Sequence, residues 1–216
     1  MANITKIDKK GNIIGLHTSG LGGFRDICYI GAGFFVVIYT RNNLVVLIKM
    51  NIGGDVIFIK IIKEFGRITL TPPHGVTTDG KYFYVLCQTS TLPNAGRIFK
   101  FDRDGNEIKD SGFITTGSTL KFRGITFNGK YLFATEIQND EMWQFDLDFN
   151  VIRTFNLPEN VNRGACFDGV NLWVGGAQKD DLYCLDYQGN VKTQIAPSAG
   201  NLVGVATDGK YFYLTQ

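Results

Sequence analysis

Residues 204–216 read GVATDGKYFYLTQ, and nearly the same string, GVTTDGKYFYVLCQ, stands at residues 75–88. The mid-chain copy runs on into two further strand-like segments, RIFKFD and NEIKDSGF, whereas the last copy stops. Aligned on the turn glycine, the chain holds five such copies: RDICYIGAGFFVVI (25–38), HGVTTDGKYFYVLC (74–87), RGITFNGKYLFATE (123–136), RGACFDGVNLWVGG (163–176) and VGVATDGKYFYLTQ (203–216). Each reads as a short strand, a turn on D-G, N-G or I-G, and a second strand rich in aromatics. Asp-Gly and Asn-Gly accept the positive φ of a two-residue hairpin turn.

A second motif follows the first four copies: IKMNIGGDVIFI (48–59), FKFDRDGNEIKD (99–110), WQFDLDFNVIRT (143–154) and YCLDYQGNVKTQ (183–194). Its fifth instance, TKIDKKGNIIGL, stands at residues 5–16, at the other end of the chain. The marker residues Asp8, Asn51, Asp102, Asp146 and Asp186 are spaced by 43, 51, 44 and 40, close to the period of about 43 that five equal units would need. Two hairpins make a four-stranded antiparallel unit, and such units arranged radially make a β-propeller, which protects its sheet edges by repetition. The expected fold is therefore all-β: a single five-bladed propeller over 1–216. Blade 5 is shared between 203–216 and 3–18, and blades 1 to 4 span 24–63, 74–116, 123–157 and 163–197. The C-terminal half-unit supplies inner strands A and B of the shared blade. The N-terminal segment supplies its outer strands C and D.

The pattern G-[IV]-x-x-D-G-K-Y-[LF]-[FY]-V followed by [IL]-x-x-[FL]-D-x-x-G-N-x-[IV] resembles blades of NHL-like and YncE-like propellers. The resemblance covers nearly the whole chain and concerns blade-building residues. NHL domains usually have six blades, whereas this chain has room for five. Five-bladed propellers of similar architecture include tachylectin-type lectins, olfactomedin domains and plant-type glutaminyl cyclases, so the fold alone does not specify an activity. The F-T-[QE]-G-L segment typical of those cyclases is not reproduced; LKFRGITF and FATE (120–127 and 133–136) come nearest.

Bulk composition narrows the classes. A chain of 216 residues with 44% hydrophobic and 19% charged side chains suits a folded domain, and 26 Gly against 5 Pro suits many tight turns. A net charge of +2 argues against nucleic acid as partner. MANITKIDKKGNIIG alternates and carries charge, unlike a secretion signal, and no stretch approaches a membrane span. A cytoplasmic location, or assembly into a particle, is expected. Cys28, Cys87, Cys166 and Cys184 form no C-x-x-C pair and read as buried, reduced thiols. No metal and no cofactor are expected.

Repetition also sorts the residues. The turn Asp series and the aromatic series Phe35, Tyr84, Phe133, Trp173 and Tyr213 recur at fixed blade positions and read as structural. Asp79, Asn128, Asp168 and Asp208 read as turn formers. Cys28 and Cys166 share a small-residue position with Thr77, Thr126 and Ala206.

The residue opening each inner strand is different: Arg25, His74, Arg123, Arg163 and Val203. Blade folding does not require cations there, since Val serves once. Arg carries a planar fork suited to carboxylate, phosphate or sulfate. The competing reading is local pairing, with Asp26 beside Arg25 and Glu136 ending a strand on the same face. Loop residues Gln88, Glu136, Gln138, Gln178, Lys179 and Asp180 surround this mouth, with QTSTLPNAG (88–96) as its longest rim. The ligand-binding candidates are thus Arg25, His74, Arg123, Arg163, Gln88, Glu136 and Gln178.

The outer hairpin of blade 1, LVVLIKM and VIFIKII, lacks the charges that protect an edge strand. Val56, Ile57, Phe58, Ile59, Ile61 and Ile62 are therefore candidates for self-association or docking to a protein partner, unless KEFGRITLTPP (63–73) covers them.

Two function classes follow. The first is a non-catalytic binding propeller, a structural or attachment component of a larger assembly such as a cell-surface or virus particle. It would hold an anionic small molecule, glycan or acidic peptide at the cationic mouth. The second is a small lyase, cyclotransferase or hydrolase with Glu136 and His74 as acid and base.

Overall fold

The structure, a computed structural model, describes residues 2–19, 24–31, 34–41, 44–51, 73–88, 95–115, 119–158, 162–176, 181–197 and 202–215. Within them the chain forms β1 (Ala2–Ile7), β2 (Ile13–Ser19), β3 (Phe24–Tyr29), β4 (Phe34–Arg41), β5 (Leu44–Asn51), β6 (Pro73–Thr78), β7 (Phe83–Gln88), β8 (Gly96–Phe101), β9 (Glu107–Asp110) and β10 (Phe122–Phe127). Then follow β11 (Leu132–Glu136), β12 (Glu141–Phe145), β13 (Val151–Asn156), β14 (Asn162–Phe167), β15 (Leu172–Gly176), β16 (Leu182–Leu185), β17 (Val191–Ile195), β18 (Gly204–Thr207) and β19 (Phe212–Thr215).

Four sheets are complete four-stranded antiparallel blades: β6-β7-β8-β9, β10-β11-β12-β13, β14-β15-β16-β17 and β18-β19-β1-β2. The last is the shared blade. Its join pairs β1 with β19 in the register Ile4↔Thr215, Thr5↔Leu214, Lys6↔Tyr213 and Ile7↔Phe212. The remaining sheet, β3-β4-β5, has three strands among the described residues. Among the described residues the count of complete blades is therefore four, not the five expected, and the outer strand expected of blade 1 falls on residues 52–72, outside them. The repeat itself weakens at this point: the four complete blades carry Asp then Asn four residues on at the C–D turn, whereas blade 1 has Asn51 then Asp55. The candidate interface residues Val56, Ile57, Phe58, Ile59, Ile61 and Ile62 lie outside the described residues.

The inner strands β3, β6, β10, β14 and β18 neighbour one another in a cycle. They line a central channel containing a cavity of about 90 Å³. Ring closure depends on four glycines in one column. A Cβ on Gly124 would lie 2.3 Å from Arg163 O, one on Gly75 2.9 Å from Arg123 O, and one on Gly164 2.7 Å from Val205 N. A Cβ on Gly204 would lie 2.6 Å from Asp26 Oδ1. Adjacent inner strands approach too closely there for any side chain that points at the neighbour. Blade 1 carries Asp26 in this column. Its Oδ2 accepts a hydrogen bond from Val76 N at 2.8 Å, so a carboxyl group spans the junction that glycine makes elsewhere.

The core lies between blades. Tyr84 and Leu86 of one blade pack with Phe122, Ile125 and Trp143 of the next, and Trp173 packs with Phe212 across the junction with the shared blade. β7, β11, β15, β16, β18 and β19 are buried along their length and β6, β8, β10 and β12 over most of it, whereas β9, β13 and β17 are largely exposed and carry the charges. These outer strands reach forward: Lys109 Nζ pairs with Asp148, and Arg153 donates to the Tyr187 carbonyl oxygen.

Each C–D turn repeats one staple. In Asp8, Asp102, Asp146 and Asp186, Oδ1 accepts the N–H groups two and four residues on, and Oδ2 accepts the side-chain amide of Asn12, Asn106, Asn150 or Asn190. That amide bond holds each carboxyl below its ordinary range, with the backbone donors adding to the effect. The A–B turns repeat another. Asp79, Asp168 and Asp208 accept two backbone N–H groups and, with the second oxygen, Tyr84 Oη, Trp173 Nε1 or Tyr213 Oη at 2.8, 2.8 and 2.9 Å. In the blade where the aromatic is Phe133, which has no polar handle, the turn residue is Asn128 rather than Asp.

Candidate functional site

Arg25, His74, Arg123 and Arg163 each occupy the second position of an inner strand, and Val203 directly precedes β18. Equivalent position in a ring brings them to one end of the channel. There the five side chains line a cavity of about 150 Å³. Of the ligand-binding candidates, Arg25, His74, Arg123 and Arg163 thus line one cavity.

Its electrostatics are unbalanced. Among the described residues the ion pairs are Arg97–Asp110 and Lys109–Asp148, so no carboxylate lies within pairing distance of the three mouth arginines. Asp26 does not neutralise Arg25; its Oδ2 faces Val76 N. Burial raises the Asp26 carboxyl well above its ordinary range, which disfavours its charged form. Its Oδ1, and Thr215 Oγ1 across Gly204, have no hydrogen-bond partner among the described residues.

His74 is held neutral. Burial, then the charges of Arg123, Arg25 and Arg163, lower its pKa to about 3. Arg123 Nη1 stands 3.4 Å from His74 Nε2 and donates to the Phe122 carbonyl oxygen at 3.1 Å. Since an arginine can only donate, Nε2 is the acceptor and the ring proton sits on Nδ1. Burial, then Arg163 and Arg25, pull the Arg123 pKa down, and Glu136 partly offsets them. The mouth is therefore a set of like charges that raise one another's energy.

The other candidates have structural duties. Glu136 is fully buried, and its carboxylate accepts from Lys121 N, Gln138 N, Asn139 N and Asn139 Nδ2 at 2.6 to 3.0 Å. Gln88 is also buried; its amide donates to Leu120 O and accepts from Phe122 N, both at 2.8 Å. Together they clamp residues 120–122, which lead into β10 and so place Arg123. Gln178, Lys179 and Asp180, with most of the 88–96 rim, lie outside the described residues. Thr135 makes a comparable clamp, accepting from Gly124 N and donating to Arg163 O, both at 2.8 Å. The sequence reading missed these clamps and the glycine column, although the column is visible in the repeats as the residue after each mouth residue.

The channel wall is chemically quiet. Cys28 and Cys166 line it with Thr77, Thr126 and Ala206. Burial pushes both thiols up, which opposes thiolate formation. Among the described residues no three His, Cys, Asp or Glu side chains gather as metal ligands, and no helix is long and apolar enough to cross a membrane.

No protein-family model matches the chain, and no curated protein matches it. Solved structures do. Glutaminyl cyclase from Myxococcus xanthus aligns with a TM-score of 0.69 at 12% identity, covering 100% of this chain and 95% of that one. A protein of unknown function from Bacteroides caccae aligns with a TM-score of 0.59 at 11% identity, covering 95% and 77%. A chain of a nidogen–laminin complex aligns with a TM-score of 0.51 at 14% identity, covering 96% and 66%. At these identities the likeness establishes the β-propeller fold and no activity.

Proposed function

We propose that this protein is a non-catalytic binding propeller whose cationic mouth holds an anionic ligand. One observation carries the reading: Arg25, Arg123 and Arg163 share a cavity with no carboxylate in pairing distance among the described residues. Like charges held together at a cost to the fold are relieved by a bound anion. An acid–base pair of Glu136 and His74 has less support. The carboxylate of Glu136 is committed to four hydrogen bonds, and His74 stays neutral where a general acid should hold a proton.

A screen of small anions by unfolding temperature at low ionic strength tests the reading. An anion that raises the midpoint of the parent should leave the triple variant Arg25→Ala, Arg123→Ala, Arg163→Ala unmoved. Equal shifts in both proteins would refute it. The apolar run after β5 is proposed, on sequence pattern, as the surface through which the propeller joins a partner or a second copy. An unchanged mass in light scattering for Ile57→Lys with Phe58→Lys would remove the self-association form of this proposal.

A further inference from the structure

The mouth has a shape as well as a sign. Its three arginines stand on β3, β10 and β14, so they approach the channel axis from separate spokes rather than from one side. A guanidinium pairs best with an oxyanion edge-on, two N–H groups to two oxygens. A carboxylate is planar and offers a single outer O–C–O edge, which one arginine fills. The other two would be left with the flanking lone pairs. The terminal group of a phosphate or sulfate monoester has three O–X–O edges in three different planes, one for each fork. The cavity of about 150 Å³ has room for such a group.

Charge supports the same class. Among the described residues, three guanidinium groups and a neutral histidine, with only the Glu136 carboxylate offsetting Arg123, leave an excess of positive charge that suits a dianion. His74 lines the cavity from the fourth spoke, and Val203 leaves the fifth spoke without a polar side chain.

Resting on the anion-binding reading above, we infer that the mouth seats a tetrahedral oxyanion group, the terminal group of a phosphate or sulfate monoester or free phosphate itself, with Arg25, Arg123 and Arg163 each meeting one of its edges. The arginines are binding residues here. Gln88 and Glu136 are positioning residues, which act by holding residues 120–122.

Isothermal titration at low ionic strength and pH 8 decides this, using inorganic phosphate, phenyl phosphate, phenyl sulfate, acetate and benzoate as probes. Phosphate or a phenyl ester binding at least tenfold more tightly than either carboxylate supports the inference. Tighter binding of the phenyl esters than of inorganic phosphate assigns the seat to a group borne on a larger molecule, and the reverse order assigns it to free phosphate. Carboxylates binding as tightly as the tetrahedral probes overturns the inference while the anion reading stands. No heat with any probe at millimolar concentration overturns both. Arg163→Gln, shown folded by its circular dichroism, should weaken the tightest tetrahedral probe at least tenfold. Arg163→Lys keeps the charge without the fork, so an affinity equal to the parent's would also overturn the edge-by-edge geometry.

Discussion

At the turn end of the inner strands, Asp208 accepts the N–H groups of Lys210 and Tyr211 and the hydroxyl of Tyr213. At the opposite end, Arg163 faces Arg123 and Arg25 with no carboxylate in pairing distance among the described residues. The same strands thus hold charges of two kinds. Those at the turns are answered within a few residues, in the same way from blade to blade, and they build the fold. Those at the mouth vary from blade to blade and have no carboxylate in pairing distance among the described residues. A polar residue that repeats with its partner is architecture, and one that repeats without a partner is a candidate for function.

Both ends depend on the ring being shut, so the largest effect should come from opening it. Removing residues 204–216 deletes β18 and β19 and exposes Ile4 and Ile7 on β1. The product should lose cooperative thermal unfolding and its near-ultraviolet circular dichroism, rather than fray locally. A cooperative transition near the parent's midpoint would show that the shared blade is not the closure.

Next comes the glycine column on the mouth side. Gly124→Ala would place a methyl 2.3 Å from Arg163 O and should cost about 1–3 kcal/mol in urea unfolding. Gly15→Ala, whose nearest neighbour would be Lys6 Cβ at 3.9 Å, should change stability by less than about 0.5 kcal/mol. Equal costs would mean that the close approach of inner strands is not what selects glycine.

Asp26 gives a pH signature to the mouth end alone. Its ordinary pKa is 3.8 and burial raises it in the native state. Below that ordinary value both states hold the proton. As pH rises, the unfolded chain releases the proton first, so the contribution of Asp26 falls and is lost as pH passes the native value. Denaturation of Asp26→Asn, whose amide does not titrate, should lose ground to the parent in acid and gain on it towards neutral pH. A constant difference between the two from pH 4 to 8 would contradict this.

The smallest effect belongs to the turns. Tyr213→Phe removes one hydrogen bond to Asp208 and should cost about 1 kcal/mol. At Phe133 the complementary change, Phe133→Tyr with Asn128→Asp, should build the missing staple and add a similar amount. A loss on adding the pair would show that the aromatic column has no room for the hydroxyl.

Much of this was legible in the sequence because propeller blades are built from local hairpins that repeat. The D-G turns, the aromatic column and the half-unit at each end each fix a strand or a join, and the pairing of β1 with β19 follows from them. The mouth was legible for the complementary reason: Arg25, His74, Arg123 and Arg163 break a repeat that otherwise explains each position. The clamps were not legible. Gln88 and Glu136 read as rim groups because they end strands on the mouth face, and pairwise burial against the next blade is not encoded in the spacing of either. Asp26 read as a partner for Arg25 because they are adjacent in sequence. In a strand, successive side chains point to opposite faces, and the carboxyl crosses instead to Val76. Four complete blades stand among the described residues where five are expected; the fifth is described only as β3-β4-β5, and its expected outer strand, after Asn51, lies outside the described residues.

The unanswered charge at the mouth is most directly tested by the unfolding temperature of Arg163→Gln against the parent, at low ionic strength and without phosphate or sulfate. If the guanidinium groups only repel one another, removing one relieves the other two, and the midpoint should rise. A fall comparable to that of Arg97→Gln, which breaks the pair with Asp110, would mean that Arg163 is already answered within the protein, and would contradict the account.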